Sequence, residues 1–201
     1  MPPPPSPHHE LSEQLRLYLR ESERILAEWD AYSDQHTDLA DWPHDDHSYG
    51  LRASQRDSET AAAFEDIRVG ARYLLAVAET QLAQLPSHVV QNRWSYQVAI
   101  LYSALDRLEV LHGEWLKTRD ALPADARPGT TVFDEALTEY HAEAWSYLDD
   151  WSTHGQTLLD INSAAQHAPS PLAPLPAAKE SPRPVIAPRC GGDRAHTSRN
   201  R

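Results

Sequence analysis

The fold is decided by Ser87–Leu122, SHVVQNRWSYQVAILYSALDRLEVLHGEWLKTRDAL, in which apolar residues recur every three or four positions. This spacing places their side chains on one face of a helix. Its members are Val90, Trp94, Val98, Leu101, Leu105, Leu108, Leu111 and Trp115. Because Pro86 cannot donate a helical hydrogen bond, the helix is predicted to begin after it, with Ser87 as the N-cap. The stripe must be buried by partner helices, and Trp115 is predicted to be a core residue.

Three further segments carry the same spacing and are predicted to be those partners. In chain order, the predicted helices span residues of about 8–39, 58–85, 88–122 and 131–166. Pro123, Pro128 and Gly129 mark the turn before the last of them. Between the first two lies a stretch without apolar period, about residues 40–57, which is predicted to be a long loop. The pattern therefore predicts an all-α fold, an antiparallel four-helix bundle in up-down-up-down order.

The two ends of the chain are predicted to be disordered and to flank a single domain, residues 8–166. Residues 1–7 are mostly proline, although Ser6 and Pro7 suit the N-cap and the first position of a helix. Residues 167–201 are rich in proline and arginine and have no apolar period. We expect this tail to be removable without unfolding the bundle, because stability must come from the packed helices.

Charge is divided unevenly along the chain. Residues 1–166 hold 12 Lys and Arg against 28 Asp and Glu, a net charge of −16, whereas residues 167–201 hold 6 against 2, a net charge of +4. An acidic bundle repels phosphate backbones, so no nucleic acid is expected to bind through it. The longest apolar run, Tyr73–Ala78, is too short to cross a bilayer, and we expect a cytoplasmic protein that binds no membrane. The single cysteine, Cys190, forms no disulfide within the chain.

Histidines on the predicted helices offer candidate metal ligands. Glu109 and His112 have the Glu-x-x-His spacing of carboxylate-bridged metal bundles, but the chain has no second copy of this motif. His36 and His141 are the other candidates, together with His112, for a site with one ion. A metal-dependent bundle enzyme centred on His112 and His141 is therefore the alternative function. No cofactor is predicted, and no phosphate loop or nucleophile elbow indicates another enzymatic mechanism.

Tryptophan and tyrosine account for fourteen of the sixteen aromatic residues. Both combine a large apolar body with a polar tip and are enriched where proteins meet partners, although such rings also fill the borders of wide bundles. Trp42 and Tyr49 in the predicted loop and Trp145 beside the fourth stripe are predicted to form an interaction surface. The favoured function is a non-enzymatic interaction or adaptor protein with an acidic, Trp- and Tyr-bearing surface and a flexible basic tail. Its expected partner is another protein, and homo-oligomerisation stays open because heptad seams also pack between chains.

Overall fold

The computed structural model describes residues 6–168, and these residues form a helical bundle. Its helices are α1 Pro7–His36, α2 Asp46–Gln84, α3 Trp94–Ala121, α4 Thr131–His154 and α5 Gln156–His167. The Ser6 hydroxyl accepts a hydrogen bond from the His9 amide and caps α1, whose first residue is Pro7. Most of the predicted lead and nearly all of the predicted tail, residues 1–5 and 169–201, lie outside the described residues.

The first two helices form an antiparallel hairpin. The rings of Tyr18 on α1 and Phe64 on α2 meet edge to face, with centroids 5.4 Å apart. Near the start of α1, Leu11 packs on Gly70 of α2, where an added Cβ would lie 2.2 Å from the leucine Cδ2. A glycine at this position therefore lets α1 and α2 approach closely.

The remaining helices also alternate in direction along the bundle. Arg72 on α2 donates a hydrogen bond to Asp106 on α3, and the hydroxyl of Tyr102, earlier on α3, donates one to Glu79, later on α2. The helices α3 and α4 also form an antiparallel hairpin, because residues near the end of α3 contact residues near the start of α4. The predicted all-α, up-down-up-down four-helix bundle is thus confirmed.

The core is centred where α2 lies against α4. These two helices run parallel, and the rings of Phe64 and Trp151 lie 5.3 Å apart between them. Trp151 is fully buried, and the Tyr18 hydroxyl beside it donates a hydrogen bond of 2.8 Å to the Leu148 carbonyl. Burial raises the pKa of Tyr18 to about 12.

None of the helices between residues 6 and 168 combines the length and the apolar character that a bilayer crossing requires.

The predicted fourth helix, about residues 131–166, is divided at one residue into α4 and α5. Gly155 keeps helical torsion angles, φ −59° and ψ −30°, so the chain continues in nearly the same course. A Cβ at this position would lie 2.6 Å from the Trp151 carbonyl oxygen and 3.0 Å from the Leu19 Cδ2 of α1. Glycine therefore permits the close approach of α1 at the joint.

The second helix starts twelve residues before its predicted start at residue 58. Asp45 caps α2, because its carboxylate accepts hydrogen bonds from the amides of His47 and Ser48. The predicted loop of residues 40–57 is thereby reduced to a connection of residues 37–45, which we call the acidic connection. The extra turns of α2 lack an apolar stripe because they pack on α1 through Tyr49 and Arg56 instead.

The third helix starts later than predicted. Residues 85–93 form successive turns, with the Val89 amide bonded to the Pro86 carbonyl and the Trp94 amide bonded to the Gln91 carbonyl. The predicted N-cap Ser87 is therefore wrong, since Arg93 precedes the first helical residue and makes no side-chain cap. Trp94 is 3% exposed, so the apolar stripe itself reaches the core as predicted.

Candidate functional site

The candidate site is the end of the bundle that carries the acidic connection, together with the adjoining ends of α1, α2, α3 and α4. We call it the loop end. It gathers most of the tryptophan and tyrosine side chains that the sequence singles out. Three parts of it differ in exposure and charge: the acidic connection, a cluster around Arg56, and a groove between α3 and α4.

The acidic connection is held by its own hydrogen bonds. The Asp38 carboxylate accepts from the amides of Ala40 and Trp42 at 2.8 and 3.0 Å, and these bonds lower the pKa of Asp38. The Asp38 amide donates to the Trp42 carbonyl, and the His44 amide donates to the His36 carbonyl. The connection therefore presents the Trp42 side chain outward at 71% exposure, next to a fully exposed Leu39.

The part of the chain that contains this exposed tryptophan is strongly acidic. From residue 25 to residue 51 the chain contains no lysine or arginine. The same interval holds seven exposed acids: Glu28, Asp30, Asp34, Asp38, Asp41, Asp45 and Asp46. Arg52 reaches back from α2 to pair with Glu28 at 3.4 Å. The acidic connection and the adjoining helix ends thus carry many exposed carboxylates, and the connection also exposes two large apolar side chains, Leu39 and Trp42.

The Arg56 cluster consists of Trp29, Arg56, Asp57 and Trp145. The Arg56 guanidinium lies between the two indole rings, 4.4 Å from the centroid of Trp29 and 3.7 Å from that of Trp145. Its Nε and Nη2 both donate to the Oδ1 of Asp57, at 2.9 and 2.6 Å. Burial raises the pKa of the Asp57 carboxyl, although the guanidinium acts in the opposite direction. The guanidinium therefore contacts two aromatic rings and one carboxylate.

Stacked rings extend this cluster along α1 towards the acidic connection. Trp29 stacks on Tyr32 with centroids 6.3 Å apart, and Tyr32 stacks on His36 at 3.9 Å. Tyr49 meets the Trp29 ring edge-on at 5.0 Å, and its hydroxyl lies 2.9 Å from that of Ser33. Tyr49 and the predicted surface residue Trp145 are consequently half-buried within one cluster, and of the three predicted surface residues Trp42 is the one fully presented to solvent.

A second aromatic group lies where the end of α3 meets the start of α4. Trp115 stacks on Tyr140, with centroids 5.8 Å apart and ring planes inclined by 13°, and meets Phe133 edge-on at 5.5 Å. Trp115 is half-buried, so its prediction as a core residue is wrong, because the stripe of α3 reaches the rim of the bundle at this point. The fully buried tryptophan is Trp151.

Trp115 and Tyr140 line a groove of about 240 Å³ that we call the glutamate groove. Its other lining residues are Leu111, Glu114, Thr118, Ala136, Glu139 and Glu143. Leu111 is buried, whereas the three glutamates are exposed at the rim. Within residues 6–168 these glutamates form no ion pair.

Two of the four candidate metal ligands, Glu109 and His36, are engaged in hydrogen bonds, and the other two lie beside a tyrosine ring. Glu109 accepts two hydrogen bonds from Arg72, at 3.1 and 2.7 Å, and the His36 Nδ1 lies 2.8 Å from the Tyr32 carbonyl oxygen. His112 and His141 flank Tyr140, with ring centroids 6.3 and 5.4 Å from it. Across the part of the chain that the structure describes, no three His, Cys, Asp or Glu side chains are grouped to hold an ion.

Burial sets the protonation of the two histidines beside Tyr140. It lowers the pKa of His112, and the Arg68 guanidinium lowers it further. It also lowers the pKa of His141, with Glu65 opposing the effect. Both rings therefore favour the neutral form more strongly than histidines in water.

Comparison of this chain with protein-family models, with curated proteins and with solved structures finds no significant match, so the geometry of the loop end is the basis for inferring its function.

Proposed function

We propose that this chain is a non-enzymatic interaction protein whose loop end binds a basic region of another protein. One observation carries the proposal: Trp42 is 71% exposed on a connection that its own hydrogen bonds hold in place, in a stretch of the chain rich in exposed carboxylates. Tryptophan is enriched among the residues that contribute most to protein interfaces, where it fills a pocket on the partner. Leu39 beside it adds apolar area to the same contact.

The charge of this surface selects the chemistry of the partner. Carboxylates around an apolar centre attract a positive surface, increase its rate of association and discriminate against acidic proteins. A second copy of this chain is disfavoured as the occupant, because two acidic connections would meet with like charges. Nucleic acid is disfavoured for the same reason. A basic protein surface with a pocket for Trp42 fits both features.

The construction of the acidic connection supports recognition rather than catalysis. Hydrogen bonds to Asp38 fix the backbone before a partner arrives, which reduces the conformational entropy lost on binding. The enzymatic alternative, centred on His112 and His141, receives no specific support, because these histidines flank a tyrosine and join no third ligand among the described residues. A cytoplasmic setting and a tethering role for residues 167–201 remain part of the proposal.

Substitution of Trp42 tests the proposal. The immobilised full-length protein is incubated with native cell extract, and bound proteins are quantified by mass spectrometry. The matched control is Tyr96→Ala, because Tyr96 is 70% exposed in the first turn of α3, at the opposite end of the bundle. Trp42→Ala is expected to reduce binding of basic proteins by about 30-fold or more, the loss of one interface hot spot, whereas Tyr96→Ala retains them.

Two results would contradict the proposal. The same proteins could bind the Trp42→Ala variant as strongly as the original chain, or the proteins lost in that variant could be acidic. Raising the salt concentration provides a further check, since association across exposed opposite charges weakens as the Debye length shortens. Sedimentation of the original protein and the variant decides whether Trp42 instead mediates self-association.

A further inference from the structure

The glutamate groove has the chemistry of a cation-binding site with an aromatic floor. Trp115 and Tyr140 provide ring surface, and the buried Leu111 closes the base between α3 and α4. Glu114 rises from α3 on one side, while Glu139 and Glu143 rise from successive turns of α4 on the other. Aromatic rings attract cations through their quadrupole, and nearby carboxylates add direct charge attraction.

The Arg56 cluster shows which cation suits this combination of residues. There, a guanidinium lies against two indole rings and donates two hydrogen bonds to one carboxylate. The guanidinium group is planar, stacks on aromatic faces and matches the geometry of a carboxylate, whereas an ammonium is a compact and strongly hydrated charge. An arginine therefore satisfies rings and carboxylates together better than a lysine does.

The glutamate groove contains the rings and the carboxylates but no arginine. Arg107 is a basic side chain close to the groove: hydrogen bonding to Tyr147 raises its pKa most, and the charges of Glu114 and Glu143 raise it further. Its guanidinium carbon lies 5.8 Å from the centroid of the Tyr147 ring, and it pairs with neither glutamate. Within the described part of the chain, the three carboxylates that border the groove thus form no ion pair.

We propose that the glutamate groove binds one arginine side chain, supplied by the basic partner on which the proposed function rests. Its volume of about 240 Å³ lies below the range typical of whole drug-sized ligands, which favours a single side chain over a larger molecule. The groove lies at the loop end, so a partner that contacts Trp42 would have a second point of attachment there. Trp42 supplies the apolar anchor, and the groove supplies the preference for arginine.

The test uses N-acetyl-arginine amide as the probe and N-acetyl-citrulline amide as its neutral counterpart of the same shape. The full-length protein is titrated while the indole N–H signals are followed by NMR, with the Trp115 signal assigned through Trp115→Phe. We expect saturable shifts of the Trp115 signal with the arginine probe and none that saturate with the citrulline probe. In the double variant Glu139→Gln with Glu143→Gln, binding is expected to weaken about tenfold, the effect of removing two exposed charge pairs.

Glu135→Gln is the matched control, because Glu135 is an exposed acid on α4 outside the groove lining. It is expected to bind the arginine probe as the original protein does. The proposal is overturned if citrulline and arginine shift the Trp115 signal equally, or if Glu135→Gln weakens binding as much as the double variant. Trp42→Ala should leave this titration unchanged, so loss of the groove and loss of the Trp42 contact are measured separately.

Discussion

The Arg56 cluster and the glutamate groove are built from the same kinds of residue and differ in one group. Both combine aromatic rings with carboxylates at the loop end, but only the first contains a guanidinium. The arginine closes its cluster, leaving the side chains of Arg56 and Asp57 13% and 8% exposed, whereas the glutamates of the groove remain in solvent. The difference teaches that one arginine decides whether such a group of rings and carboxylates is buried between helices or open to solvent.

Removal of Arg56 is expected to have the largest effect on this comparison. Arg56→Ala leaves the Asp57 carboxyl buried without its partner and should lower the free energy of unfolding by about 3–5 kcal/mol. Urea denaturation followed by circular dichroism measures the change. Arg52→Ala is the control, since Arg52 lies on the same helix as Arg56 but pairs with an exposed glutamate of α1, and its loss should cost less than about 1 kcal/mol. Equal decreases in the free energy of unfolding for the two variants would mean that the Arg56 cluster contributes no more to stability than an exposed ion pair.

Two of the half-buried tryptophans, Trp115 and Trp145, should differ by a smaller amount in their contribution to the free energy of unfolding. Complete burial makes a Trp→Ala change cost about 3–5 kcal/mol, so about half of that is expected for Trp115→Ala. Trp145→Ala should cost about 1 kcal/mol more than Trp115→Ala, because it also removes the contact with the Arg56 guanidinium. The same urea titrations measure both variants. If Trp115→Ala cost more than Trp145→Ala, the stack of Trp115 on Tyr140 would contribute more to stability than the contact of Trp145 with Arg56.

The smallest expected effect is a pH dependence of the free energy of unfolding that arises from the two histidines beside Tyr140. Burial lowers the pKa of His112 and His141 below the ordinary value of 6.5, so the unfolded chain binds more protons than the folded chain as pH falls through that value. The free energy of unfolding should therefore be highest above this pH and decrease below it. Glu65, Arg68 and Arg119 are the charged groups that act on these rings.

Replacing both histidines by glutamine should make that decrease shallower between pH 7 and about pH 5, the interval in which histidines titrate. The measurement is the urea midpoint at each pH. His9→Gln serves as the control, because His9 is exposed in the first turn of α1. A double variant with the original pH dependence would show that the histidines beside Tyr140 are not responsible.

The sequence predicts the bundle well because heptad stripes report burial directly. It misplaces the start of α2 because the turns from Asp46 to Asp57 pack through Tyr49 and Arg56, which a search for apolar periodicity does not count. It misplaces the start of α3 because Val90 continues the stripe through residues that are folded into turns before Trp94. Periodicity therefore locates the core more reliably than the ends of the helices.

The candidate site is only partly readable from the sequence. Composition directs attention to Trp42, and its place between two helices makes exposure a reasonable expectation. The contact of Arg56 with Trp145 joins helices that are distant in sequence, and no local motif marks it. The pairing of Glu109 with Arg72 is equally invisible, since it joins side chains of two neighbouring helices. Such features depend on which helices become neighbours, which spacing within one helix does not determine.

The exposure of Trp42 also has an optical consequence. It is the most exposed of the six tryptophans, whereas Trp94 and Trp151 are buried and the remaining three are half-buried. Its indole should therefore emit at the longest wavelength and meet dissolved quenchers first. The carboxylates around it attract caesium and repel iodide, so the cation should quench this red component more efficiently than the anion. The chain thus carries a built-in reporter of events at its loop end.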